Sequence, residues 1–135
     1  NTKSFLLVIA CLFFMTVNCM HGTCYRSLSG RVVTNEENPQ YEIEICRCYL
    51  DCKYPTCDMA KLQSDGTYGL PEKGFAQSDC AKACDESNNT LPDSILIKVF
   101  TSDDAVICDT VFHCTDYSFG GTSGDDIILP DILIK

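Results

Sequence analysis

Eleven cysteines in 135 residues constrain this chain more than any other feature. Cysteine at about 8% is far above ordinary usage, and that density belongs to chains that fold under oxidising conditions and rely on cross-links. The length suits one domain and leaves no room for a multidomain enzyme. Ten basic and 19 acidic side chains set a formal charge of -9. Such a balance argues against a partner that offers mainly a phosphate backbone or an anionic membrane face. Neither nucleic acid nor membrane is therefore an expected partner.

Lys3 precedes an unbroken apolar run from Phe5 to Met15, FLLVIACLFFM. A bilayer-spanning helix needs roughly 20 such residues, whereas the core of a signal peptide needs about 7–15. Val17 and Cys19 place the expected cut after Cys19, with a cut after Gly22 as the alternative and a buried N-terminal helix as the competing reading. The expectation is a signal peptide over 1–19 and a single Cys-rich domain over 20–135, secreted to the extracellular space. Nine cysteines then remain as disulfide candidates: Cys24, Cys46, Cys48, Cys52, Cys57, Cys80, Cys84, Cys108 and Cys114. Nine is odd. One thiol is free, bridged to another molecule, or paired with a retained Cys19 if the cut falls earlier.

Hydrophobic periodicity reads as β almost throughout. Tyr41 to Ile45 alternates apolar and acidic side chains, the mark of a strand with one buried face. Ser94 to Phe100 is short and β-branched, with a tight turn after it at Ser102-Asp103-Asp104 and an antiparallel partner in Ala105 to Cys114. Arg31 to Val33 makes a short opening strand. Ile127 to Leu129 and Ile132 to Ile134 flank Pro130, which confines that piece to an edge or a bulge; it either covers the core or extends a neighbour's sheet. Asp65-Gly66 is the strongest turn signal. A short helix is predicted over Gln77 to Glu86, capped by Ser78. The sum is an all-β fold, a small antiparallel β-sandwich of six to seven strands with two disulfide-stapled inserts, Cys46–Cys57 and Gly74–Asn89, and one short helix.

The order of Ser29-Gly30-Arg31-Val32-Val33, Tyr41 to Ile45, Leu62-Gln63-Ser64-Asp65-Gly66-Thr67-Tyr68, Ile95 to Phe100 and Asp126 to Leu129 resembles the secreted transthyretin-like, prealbumin-type sandwiches. The resemblance covers about a third of the chain after residue 19. It implies extracellular binding or bridging rather than catalysis and transfers no functional residue. The two Cys-rich inserts depart from the family's pattern.

Strand geometry limits the bridges. Cys46 and Cys48 share the face of Glu42 and Glu44, opposite Tyr41, Ile43 and Ile45, so their bridges should lie outside the core and cannot close on each other. Their natural partners are Cys52, Cys57, Cys80 and Cys84, which would staple both inserts onto one sheet. Cys80 and Cys84, on one helical face, reach two different partners. Cys108 and Cys114 share a strand face and must pair elsewhere. A zinc site at Cys46, Cys48, Cys52 and Cys57 lacks the usual two-residue gap.

No residues assemble into a catalytic set. His21 falls in the expected N-terminal tail, and His113 with Asp109 on one strand makes no dyad. Nucleophile-elbow, phosphate-loop and zincin motifs are absent, and nothing calls for a cofactor. Asp103-Asp104 and Asp125-Asp126 would hold calcium only if their loops shared one end of the sandwich; the competing reading is solvated turn acids. Asn88-Asn89-Thr90 is an N-glycosylation sequon at Asn88. Thr115 to Asp125 reads as a long loop with Tyr117 and Phe119 either exposed for recognition or packed beneath it. The reading is a secreted, disulfide-rich binding or structural module. Its expected partner is an extracellular protein or a second copy in a homo-oligomer. The alternative is a secreted effector, a venom or defence polypeptide acting on a host protein.

Overall fold

The computed structural model describes residues 22–49, 52–84 and 90–135. The expected signal peptide, His21 and the sequon at Asn88 lie outside the described residues. Among the described residues nine strands follow one another: β1 Cys24–Thr34, β2 Glu42–Cys48, β3 Thr56–Lys61, β4 Thr67–Phe75, β5 Ser94–Phe100, β6 Val106–His113, β7 Ser118–Gly120, β8 Asp126–Ile128 and β9 Ile132–Ile134. They form two sheets, β4-β1-β8-β7 with β9 also on β1, and β3-β2-β5-β6. The fold is an all-β sandwich.

Alternation along the strands builds the core. In β5 the pattern buries Ile95, Ile97 and Val99 and turns Leu96, Lys98 and Phe100 outward. Ile43 and Ile45 of β2 lie beside them in register, Ile43 opposite Val99 and Ile45 opposite Ile97. All five are fully buried, each worth about 1.5–3 kcal/mol of apolar transfer. The second sheet answers with Leu28 and Val32 of β1, Tyr68 of β4, and Ile127, Leu129 and Ile132 at the chain's end.

The end of the chain covers the core rather than standing free. β8 and β9 both run parallel to β1, at Leu28–Ser29 and Val32–Thr34. Leu129 N–H continues the ladder to Ser29 O at 2.8 Å. Pro130 has no N–H to offer, and the strand divides there. Another proline, Pro71, sits in β4 where the register slips between the Arg26–Lys73 and Leu28–Leu70 pairs, the bulge position that a proline tolerates.

The all-β sandwich has nine strands among the described residues rather than six or seven, and β8 and β9 make the sheet of β1 mixed rather than wholly antiparallel. Three further sequence expectations need correction. The predicted helix is absent over Gln77–Cys84, the part of it described. So short a helix does not hold itself in water, and tertiary partners take its backbone groups: Ala81 N–H donates to Thr90 Oγ1 at 3.0 Å, and Ala81 O accepts from Arg26. The first insert contains a strand, β3, paired to β2 along its whole length. The segment Thr115 to Asp125 is no free loop, since it holds a 3₁₀ turn ending at Asp116 and then β7. The Asp65-Gly66 turn does form, with Gly66 at φ +86° and Gly66 N–H bonded to Gln63 O. It carries the chain from one sheet to the other, because β3 and β4 belong to different sheets.

Candidate binding site

The register makes the two ends of the sandwich chemically unlike. Cys24 begins β1, Cys48 ends β2, Cys57 lies near the start of β3, and Cys114 follows β6. These positions fall at one end. There the bridges are Cys24–Cys80, Cys46–Cys57, Cys48–Cys52 and Cys84–Cys114, with Cα–Cα distances of 5.4, 4.0, 4.5 and 5.7 Å. Cys46 and Cys57 are direct cross-strand neighbours. Cys46 and Cys48 stand apart from the main core cluster, yet both are buried, Cys48 completely, so the expectation that their bridges lie away from the interior is not met. The second insert does not return to β2: Cys80 ties it to the five-stranded sheet and Cys84 to the turn after the four-stranded one. Cys108 is the free cysteine among the described residues, half-buried, its thiol pushed up chiefly by burial.

The cross-linked end is also where the buried polar groups gather. Arg26 is only 4% exposed. Its guanidinium donates through Nε to Asp125 O at 2.7 Å, through one terminal nitrogen to Thr90 O at 3.0 Å, and through the other to Ala81 O. One side chain thus joins β1, the second insert and the loop before β8. It also stacks over Phe119 with 5.3 Å to the ring centroid. Burial lowers its pKa, opposed by the nearby Asp125. Tyr117 is buried and donates its hydroxyl to Pro92 O at 3.0 Å. Of the two alternatives for the aromatics of this segment, packing is the one adopted.

The opposite end carries no bridge among the described residues. It is built from the β1–β2 loop, residues 35–41, the β3–β4 turn, residues 62–66, the β5–β6 turn, residues 101–105, and β9. Three cavities open between these pieces. One of about 590 Å³ lies between Arg31–Thr34, the β1–β2 loop and Leu62–Gly66. A second of about 290 Å³ adjoins it through Pro39 and Gln40 and reaches Ser102 and Asp104. A third of about 550 Å³ lies between Glu36, Ile107, Cys108 and Leu133–Lys135. Amides, hydroxyls and carboxylates line them, together with Arg31, Lys61 and Lys135. Tyr41 donates to Glu36, which raises the Tyr41 pKa. Asp65 accepts from the Thr67 hydroxyl at 2.6 Å and the Thr67 N–H at 3.0 Å, and these bonds hold its carboxyl below the usual range. Arg31 pairs with Asp131 at 2.7 Å on the outer wall.

The two aspartate pairs stand at opposite ends. Asp103 and Asp104 follow β5 at the cystine-free end, whereas Asp126 accepts from Ser27 N–H near the start of β1. They share no calcium site, and no group of three or more metal-ligating side chains comes together among the described residues. His113 is exposed on β6, with Asp109 two residues beyond Val111 on the same face. Sequence reasoning missed Arg26. For Arg26 a signal existed: Cys24, Arg26, Leu28, Gly30 and Val32 alternate along β1, so the arginine falls on the inward face.

No family model and no curated protein matches the chain. Among solved structures it is similar to the dioxygenase domain of a dioxygenase–carbohydrate-binding protein fusion from Streptomyces sp. SirexAA-E. The two share 10% identity over 86% of this chain and 82% of that one, with a TM-score of 0.49. A likeness of that degree carries no argument about chemistry.

Proposed function

We propose that the chain is a secreted, disulfide-stapled module that binds an extracellular protein through its cystine-free end, by recognition rather than catalysis. The observation that supports this reading is the segregation of the two ends. Four bridges and a buried arginine hold one end, while three unlinked loops and their cavities make up the other. A rigid scaffold that presents adjustable loops is the usual layout of a recognition surface. Disulfides of this number persist in oxidising compartments, which supports secretion. The same reading includes kinship with the transthyretin-like secreted sandwiches, supported by the inter-sheet turn at Asp65-Gly66 and the buried Tyr68 after it.

The test uses the oxidised chain from a secretory host, immobilised against a panel of purified matrix and serum proteins. Gln40→Arg, Ser64→Arg and Ser102→Arg together fill the cystine-free end with bulk and charge. They should weaken capture at least about tenfold, and Lys82→Ala at the cross-linked end should leave it unchanged. Capture that survives the triple change and is lost with Lys82→Ala would place recognition at the wrong end and overturn the proposal.

A further inference from the structure

Open strand edges invite pairing with other chains, and proteins blunt them with prolines, lysines, bulges or brevity. Most edges here are blunted. β4 contains Pro71 and Lys73, β3 follows Pro55, ends at Lys61 and is cross-linked through Cys57, and β7 and β9 are three residues each. β6 differs. Among the described residues it lies outermost in its sheet, beside β5 alone; it runs for eight residues and contains neither lysine nor proline. Its one irregularity falls beside Phe100, leaving Cys108 to His113 in regular register with Val99 to Ser94. Val106, Ile107 and Val111 are 52%, 40% and 45% exposed along it.

We propose that the free edge of β6 is a docking edge for an extended, basic segment of a partner protein, which adds as a further strand to the four-stranded sheet. This deepens the binding-module reading by naming a partner chemistry, at the side of the sheet rather than at the loops. Charge decides the occupant. From Thr101 to Tyr117 the chain holds Asp103, Asp104, Asp109 and Asp116, and no lysine or arginine. Lys98, one strand in, lies in register between Glu44 and Asp109 and is matched within the sheet. A second copy, at a formal charge of -9, would bring two acidic edges along one seam, whereas a cationic strand brings complementary charge. Main-chain bonds along Cys108–His113 supply affinity, and alternate side chains supply selectivity. On the outer face, a basic residue meets Asp109 between the exposed Val106 and Val111. On the inner side, an aliphatic residue enters the 550 Å³ cavity beside Ile107, Cys108, Leu133 and Ile134.

The experiment uses the full oxidised chain and three synthetic probes: an alternating lysine–valine peptide, its glutamate–valine counterpart, and the lysine–valine peptide with alternate amides N-methylated. Fluorescence anisotropy should show the first binding at least about tenfold more tightly than either other, with affinity falling as salt rises. Asp109→Lys should abolish that preference, and amide exchange should slow at Cys108–His113. Equal binding of the two charged peptides, indifference to N-methylation, protection confined to β3 or β4, or a β6-mediated dimer in sedimentation would each overturn the proposal. Because the Gln40, Ser64 and Ser102 changes leave β6 intact, they should not alter peptide binding, so loss at the loops and loss at the edge are read separately.

Discussion

Removing bridges one at a time offers a direct check on how the cross-linked end is held. Cys24–Cys80 closes 56 residues of sequence and Cys48–Cys52 closes four. Each pair joins one buried cysteine to one half-buried one, so the packing lost on truncation to alanine is similar for both. What differs is the freedom restored to the unfolded chain. With the logarithmic dependence on loop length, the long bridge is worth about 4 kcal/mol and the short one about 2 kcal/mol. Cys46–Cys57 shortens the large loop slightly, leaving a difference of about 2 kcal/mol. Cys52 widens the gap, since it sits in the left-handed region at φ +58°, a conformation that favours glycine, and opening its small ring releases that strain. The assay is urea unfolding of the Cys24→Ala/Cys80→Ala and Cys48→Ala/Cys52→Ala variants. At a slope of about 2 kcal/mol per molar urea, the long-bridge variant should unfold about 1 M earlier than the short-bridge one. Coincident midpoints would refute the reasoning, and so would a larger loss from the short bridge.

Two further outcomes test the buried polar groups. Arg26→Lys leaves one ammonium to serve carbonyls on three separate segments, so at least one stays unpaired at a cost of about 1–3 kcal/mol, seen as a lower melting temperature and faster amide exchange around Ala81. An unchanged melting temperature would show that the three bonds contribute nothing. Burial raises the pKa of both Tyr68 and Tyr117. Their folded forms therefore keep a proton that the unfolded chain releases near pH 10. Their stabilising contribution is complete below that value and falls above it by about 1.4 kcal/mol per pH unit for each. Tyr68→Phe should flatten this alkaline decline without loss at neutral pH, because the Tyr68 hydroxyl has no hydrogen-bond partner among the described residues. Tyr117→Phe should flatten it while losing about 1 kcal/mol at pH 7 with the bond to Pro92. Chemical denaturation at pH 7 and above pH 10 reads both, and unaltered alkaline slopes would sink the argument.

Local pattern and long-range contact divide this molecule unevenly. Ile43–Ile45, Ile95–Val99 and the turn at Asp65-Gly66 were legible because side-chain alternation and turn chemistry act over a few residues. β3 was not legible: Thr56-Cys57-Asp58-Met59-Ala60-Lys61 has no apolar alternation, and it is a strand because β2 pairs with it residue by residue. The segment after Gln77 misled for the opposite reason. Its spacing suits a helix, yet Arg26, Thr90 and two bridges hold its backbone from elsewhere. The sequence by itself determined an oxidised, acidic chain of short strands, because composition and alternation are properties of neighbouring residues. Only the tertiary structure decided which sulfurs meet, that the four bridges among the described residues gather at one end, and that among those residues one long edge is left open. Those outcomes depend on which strands lie side by side, and residues 56 apart in sequence but 5.4 Å apart in space leave no local trace of one another.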